Sequence, residues 1–341
     1  MNGLERVLAA VKGEKADRPA AAAALCIYGS RLTSCGLVEY YSDPLAYAKG
    51  QAAVKARFDP DILFGPFALA LEGAAFGSAI AVHPDNAPTL KRPGLPDAAS
   101  FLKAPLPDPA RDPYLRYLHE GLRILAAERG ADTAIAAIGL SPVDLLPMVI
   151  GSEAWLDSIL FRPEEARRAI ERCAGYFVER ANRFFAEGAH FLALPVVFCN
   201  PRILTLAIVL ELALPILRNS FALLDGLVVI HHGGSPLLPF IKEIAELPNV
   251  AGLVIDKTDK FRAARAAIGP EKVLMGNVDG PSLDARREED VARHCAELVR
   301  ERAADPRWIL ATSAADVPLS TDPAVIDSFF GSVRCGEGLD R

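Results

Sequence analysis

The chain has 341 residues, 51% hydrophobic and 23% charged, which supplies one large core and excludes a disordered chain. With 37 basic against 43 acidic residues the net charge is −6, which argues against nucleic acid as a partner because phosphate neutralisation needs a basic face. The six cysteines (Cys26, Cys35, Cys173, Cys199, Cys295, Cys335) follow no pairing or metal spacing, and a cytoplasmic chain with reduced thiols is the simplest account.

Residues 1–19 form an N-terminal extension that is charged throughout, lacks the apolar run of a signal peptide, and predicts a short helix from Glu5 to Gly13. The apolar run from Ala20 to Ile27 predicts a strand buried on both faces. A helix starts at Asp43-Pro44 and runs to Arg57, and Ile62 to Phe64 is the second strand. Residues 84–113, rich in Pro and Asp, read as a loop excursion, followed by a helix from Tyr114 to Arg129. Six further apolar runs lie at 133–139, 191–196, 227–230, 250–255, 273–276 and 308–311. Helical patterns over 152–187, 202–222, 236–247, 258–267, 286–304 and 323–330 separate or follow them. Eight fully apolar strands alternating with helices predict an α/β chain: one (βα)8 TIM barrel over 1–341 with an N-terminal helical extension. A doubly wound open sheet is the alternative, weakened because no G-x-G-x-x-G follows the first strand. The longest apolar stretch, 203–217, is broken by Thr205, Glu211 and Pro215 and is shorter than the roughly 20 residues of a span, so no membrane partner is expected.

In such a barrel the working residues sit just past the C-terminal ends of the strands. Those positions hold Tyr28 and Arg31 after the first strand, Glu72 after the second, Ser141 and Asp144 after the third, and Cys199 and Asn200 after the fourth. His231 and His232 follow the fifth, Asp256 the sixth, Asn277 and Asp279 the seventh, and Thr312, Ser313 and Asp316 the eighth. Helix capping and loop ties compete with function as the reason for such residues. The sharpest local feature is His231-His232-Gly233-Gly234. Adjacent residues at a strand end point to opposite sides, so at most one imidazole is expected to face the mouth. There it would ligate a metal, move protons or hydrogen-bond a substrate; the alternative is a buried ring satisfied by a backbone carbonyl. Glu72, alone in the apolar segment 67–77, is either paired or functionally perturbed. Asn277 and Asp279 share a face of an extended segment and would hold a polar ligand or form a turn. His190 precedes a strand and belongs at the opposite end. Cys26 and Cys199 close strands one and four, within reach of a strand-five histidine, but no metal-ligand spacing supports that use.

An ordered set of short motifs goes further. It comprises Leu4–Pro19 with its Asp-Arg-Pro ending, Tyr41–Pro44, Arg57–Asp61, Leu71–Gly77, Gly151–Trp155, Gly188-Ala189 and Gly276–Asp279. On these, nearly the whole chain resembles the uroporphyrinogen decarboxylase superfamily. It is most similar to the corrinoid-linked branch, the methylcobamide:coenzyme M and O-demethylase type of methyltransferase. Tetrapyrrole decarboxylases carry an arginine-rich loop after the first strand and Phe-Ser-Asp at the second. Here Leu25–Arg31 and Leu63–Pro66 stand there, so uroporphyrinogen decarboxylation is not expected.

The resemblance implies methyl transfer between a small donor or acceptor and a corrinoid (cobalamin) carried by a corrinoid-binding protein, with a homodimer left open. It assigns His231, His232, Glu72 and Asp279 to catalysis, and Tyr28, Arg31, Asn200, Asn277, Asp256 and Asp316 to the substrate. The branch usually holds zinc through His-x-Cys-Gly at the fifth strand and a cysteine after the eighth. In this sequence those cysteine places are Gly233 and Ala314. Zinc is then either rebuilt, with His231 and Glu72 as the expected ligands and His232 or Asp316 as further ones, or replaced by activation without metal. The alternatives are a lyase or decarboxylase using Arg31 on a small carboxylate, and a non-catalytic binding member.

Overall fold

The computed structural model describes residues 1–334; Cys335 lies outside the described residues. Among the described residues ten strands occur in chain order: β1 (Ala21–Ala22), β2 (Ile62–Phe64), β3 (Ala79–Ala81), β4 (Thr89–Arg92), β5 (Ala134–Ile138), β6 (Phe191–Pro195), β7 (Leu227–His231), β8 (Val250–Val254), β9 (Val273–Asp279) and β10 (Trp308–Ser313). Strands β3 and β4 form a separate antiparallel hairpin; the other eight form one parallel sheet in the order β1-β10-β9-β8-β7-β6-β5-β2. Asp61 closes the ring. Its N–H donates to the Ala21 carbonyl at 2.9 Å, its carboxylate accepts the Ala21 N–H at 2.8 Å, and its carbonyl accepts the Ala134 N–H at 3.1 Å. The fold is the (βα)8 barrel predicted from the alternation of apolar runs and helices.

Period-two alternation divides each strand between two cores. Ala22, Ile62, Ala134, Val229, Met275 and Ile309 fill the interior, while Ala21, Leu63, Ile135, Val228, Leu274 and Leu310 pack outward against the helices. The helix Gly3–Lys12 plugs the lower end, contributing Val7 and Ala10 to the interior cluster. A capping box starts it: Asn2 Oδ1 accepts the Glu5 N–H and the Glu5 carboxylate accepts the Asn2 N–H, both at 2.8 Å. Arg18 grips Asp61 with two nitrogens at 2.7 and 3.0 Å, and Arg6 adds a third contact at 3.1 Å. The Asp-Arg-Pro and Arg57–Asp61 motifs are therefore the barrel's lower lock.

Several elements differ from their sequence patterns for identifiable reasons. The first strand is two residues long because side chains intercept its later N–H groups: Thr312 Oγ1 takes that of Ala24, and the Asp316 carboxylate takes that of Cys26. The pattern at 152–187 breaks into Ser152–Phe161 and Pro163–Ala186, since Pro163 forces Arg162 out of helical geometry. The pattern at 202–222 contains a π-helical turn, Val209–Ala213, where Pro215 lacks the N–H that would bond the Glu211 carbonyl. The 84–113 excursion is partly ordered, with β4 and a short helix Ala98–Phe101 whose two end residues are buried.

Candidate functional site

The barrel interior is not filled at its upper end. Ala22, Ala24, Ala193 and Ala311 stand where such barrels usually place branched side chains, and they leave a cavity of about 70 Å³. Phe64, Phe67, Ile138, Val229 and Met275 belong to its apolar lining, and its polar lining residues are His231, Thr312 and Cys26. Among the described residues no arginine, lysine or carboxylate lines it.

His231 points into this cavity from the last position of β7, two residues beyond the inward Val229. Its Nδ1 accepts the Gly233 N–H at 3.0 Å, so the ring proton sits on Nε2. Burial, aided by the neighbouring His232, pushes the imidazole pKa down to about 3 against the opposing hydrogen bond to the Ala314 backbone, so the ring is neutral. His232 does not point away as strand alternation predicts. The chain turns after β7, and the two rings stack at 4.4 Å. His232 is fully buried, and its Nε2 accepts the Ala314 N–H at 2.9 Å. The Gly234 N–H approaches Nδ1 at 3.1 Å, but a neutral imidazole has one accepting nitrogen. The Asp256 carboxylate, 3.5 Å from Nδ1, favours the proton there and leaves Nε2 to accept. His232 thus ties the top of β7 to the segment after β10.

The other residues proposed from sequence are largely committed to the scaffold. Glu72 does not line the cavity. Both its oxygens are held by Arg180, at 2.7 and 2.8 Å, and one also accepts the Leu140 N–H. Tyr28 is buried and donates to the Thr321 carbonyl; Arg31 donates to the carbonyls of Leu319 and Thr321, so it clasps that loop rather than facing the cavity. Asp256 accepts from the backbone and hydroxyl of Thr258. Asn277 and Asp279 lie within β9, not beyond it. The Asn277 amide donates to the carbonyls of Asp256 and Asp259, and Asp279 pairs with Lys257 at 2.5 Å. Asn200 is buried outside the cavity, its Oδ1 accepting the Arg202 N–H and its Nδ2 without a partner among the described residues. Asp316 holds the Cys26 and Ile27 N–H groups, and burial raises its carboxyl to about 7.

The sequence matches uroporphyrinogen decarboxylase (URO-D) as a family across residues 2–335. The chain belongs to the uroporphyrinogen decarboxylase family. A methyltransferase from Methanosarcina mazei superposes with a TM-score of 0.88 at 18% identity, covering 99% of this chain and 100% of that one. A B12-independent methionine synthase from a Shewanella species, in complex with selenomethionine, superposes with a TM-score of 0.58 at 12% identity, covering 88% of this chain and 90% of that one. At these identities the likeness is one of fold. No curated protein matches the sequence.

The zinc found in the resembled branch of the uroporphyrinogen decarboxylase family does not fit these residues. Among the described residues no three His, Cys, Asp or Glu side chains gather as a metal site requires. With Nδ1 accepting the Gly233 N–H, the His231 proton sits on Nε2, whereas a metal bound at Nε2 needs a lone pair there and a proton on Nδ1. Gly233 adopts φ +61°, and a Cβ on it would lie 2.6 Å from the Val196 carbonyl. Ala314, the other vacated cysteine place, has φ +67°. The expected pair of His231 and Glu72 fails as well, since Arg180 holds Glu72 away from the cavity wall. Cys26 and Thr312, absent from the proposed catalytic set, do line the site.

Proposed function

We propose that the protein is a methyltransferase that passes a methyl group between a small molecule in the barrel cavity and a corrinoid on a separate protein. The observation that carries this reading is the cavity: apolar, open at the end where such barrels work, and holding one neutral imidazole N–H. The end-to-end superposition on a protein described as a methyltransferase supports it. A corrin ring is far larger than the cavity, so the corrinoid would be met at the mouth. When bound there it supplies the methyl-carrying metal centre, and the rest of the chemistry falls to this chain.

His231 Nε2–H donates to the heteroatom that loses or gains the methyl group. As the methyl group departs, the bonding pair stays on the heteroatom, and a fixed donor stabilises the charge that builds there without reorganisation; the proton it then needs comes from water at the open mouth, and the reverse transfer returns the accepting group's proton to the same water. The neutral ring acts as a hydrogen-bond donor, not as a proton source. The alanine and phenylalanine walls exclude water that would compete for the heteroatom. His232 is a positioning residue, holding Ala314 at the mouth.

The test is methyl transfer from free and protein-bound methylcobalamin to a panel of small alcohols and thiols. Transfer to at least one acceptor is expected. His231→Phe should lower kcat/KM by about 10²–10³-fold, and His231→Gln, which keeps an N–H, by less. A panel without transfer from either corrinoid form overturns the reading.

A further inference from the structure

A second hollow lies at the opposite end of the barrel. It is an open cleft of about 410 Å³ between the segment 14–20, which follows the N-terminal helix, and residues 299–306, which end the helix Glu288–Arg302 and lead into β10. That volume falls within the range of about 300–1,000 Å³ common to small-molecule sites. Both walls are held in place. Arg6 clamps Asp17 at 2.8 and 2.9 Å, Arg265 holds Asp305 at 2.8 Å, and Arg307 donates to the Val11 and Lys12 carbonyls.

The charges that line the cleft divide into engaged and free. Asp17 and Asp305 are neutralised by those arginines, and Arg18 is engaged by Asp61. Arg302, Lys15 and Glu14 form no ion pair among the described residues. Arg302 is half-buried with its guanidinium over the Phe261 ring, 5.6 Å from the centroid, and its Nε–H has no acceptor among the described residues. Stacking thus fixes the plane of the group while its in-plane donors stay uncommitted. Trp308 points outward from β10, is 2% exposed and lines the same cleft. Its indole N–H is also without an acceptor among the described residues, although a buried indole usually finds one.

We propose that this cleft binds an organic monocarboxylate, its oxygens between the Arg302 guanidinium and the Lys15 ammonium, its inner edge toward the Trp308 N–H and its apolar body along Ala16, Val299 and Pro306. A planar guanidinium with free edge donors matches a carboxylate. Two free cations against one free carboxylate, Glu14, leave a single positive charge to be met. The site therefore takes a monoanion in preference to a phosphate dianion and turns amines away. It shares no residue with the upper cavity, so it stands or falls independently of the methyl-transfer reading.

The whole chain, labelled with 15N at tryptophan, is titrated with phenylacetate, phenyl phosphate and benzylammonium. The chain has two tryptophans, and Trp155, which does not line the cleft, is the internal control. Phenylacetate should shift the Trp308 indole N–H saturably and leave that of Trp155 unmoved. Phenyl phosphate should bind more weakly and benzylammonium should shift neither. Arg302→Gln should weaken phenylacetate at least about tenfold. Lys15 is exposed, so Lys15→Gln reads the site without disturbing the helix end and should weaken it about two- to fivefold. Glu14→Gln should tighten phenyl phosphate more than phenylacetate. The proposal is overturned if phenylacetate gives no saturable shift at Trp308, if phenyl phosphate or benzylammonium binds more tightly, or if Lys15→Gln and Arg302→Gln with unchanged Tm bind phenylacetate as the parent does.

Discussion

His231 and Asp316 lie at the same end of the barrel yet couple protonation to folding with opposite signs. Burial depresses the imidazole to about 3, below the roughly 6.5 of an unfolded histidine. As pH falls the unfolded chain takes up that proton first, so the contribution is intact above about pH 6.5 and drains away toward pH 3. Asp316 is raised by burial to about 7, against about 3.9 unfolded. Its folded form keeps a proton the unfolded chain has lost, so this contribution is whole below about pH 4 and is lost as pH rises through 7. At about 1.4 kcal/mol per unit, each amounts to a few kcal/mol. His231→Gln should therefore flatten the acid side of the stability profile and Asp316→Asn the neutral side, as read by denaturant unfolding between pH 4 and 8. Unchanged slopes would mean that these groups are solvated. Gly233 sets a second limit at this scale. With φ +61° and no room for a Cβ beside Val196, Gly233→Cys should cost stability and recruit no zinc, even combined with Ala314→Cys. Metal analysis of the double variant checks that directly.

Among the elements, β1 depends most on side chains. Two residues of ladder hold it to β10, and Asp61 holds its other edge. Asp61→Asn would leave Arg18 without its buried counter-charge, while Arg6 keeps Asp17; removing one partner of a buried pair costs about 3–5 kcal/mol. Hydrogen exchange should then quicken at Ala21 and Ala22 ahead of the remaining strands. The same strand shows what the sequence made legible. Apolar runs located all eight strands, because strands covered on both faces must be apolar throughout. Their lengths were not legible: the end of β1 is set by Thr312 and Asp316 accepting its later N–H groups from far away in sequence, which no local pattern encodes. The stacked histidines escaped for a related reason. Alternation holds only while the ladder does, and it stops at His231.

Across the whole molecule, the lower end is locked by ion pairs and the upper end is left hollow, so stability and function should separate under mutation. Candidate residues chosen for polarity at strand ends were mostly caps and clasps; the cavity was marked instead by small inward residues, a signal visible only after the sheet had closed. Arg265, near the lower ends of β9 and β10, pairs with Asp305 and donates to the carbonyls of Gly269, Lys272 and Arg307. Arg265→Met strips those acceptors and should cost about 2–3 kcal/mol, lowering Tm by a few degrees in a barrel of this size. It touches nothing on the cavity wall, so the methyl-transfer rate of the folded fraction should not change. Ala193→Leu should do the reverse, filling the hollow with apolar carbon so that Tm holds or rises while transfer is lost. Tm and initial rates measured on the two variants together decide the matter: if Arg265→Met slows transfer, or Ala193→Leu spares it, the work is done away from the cavity.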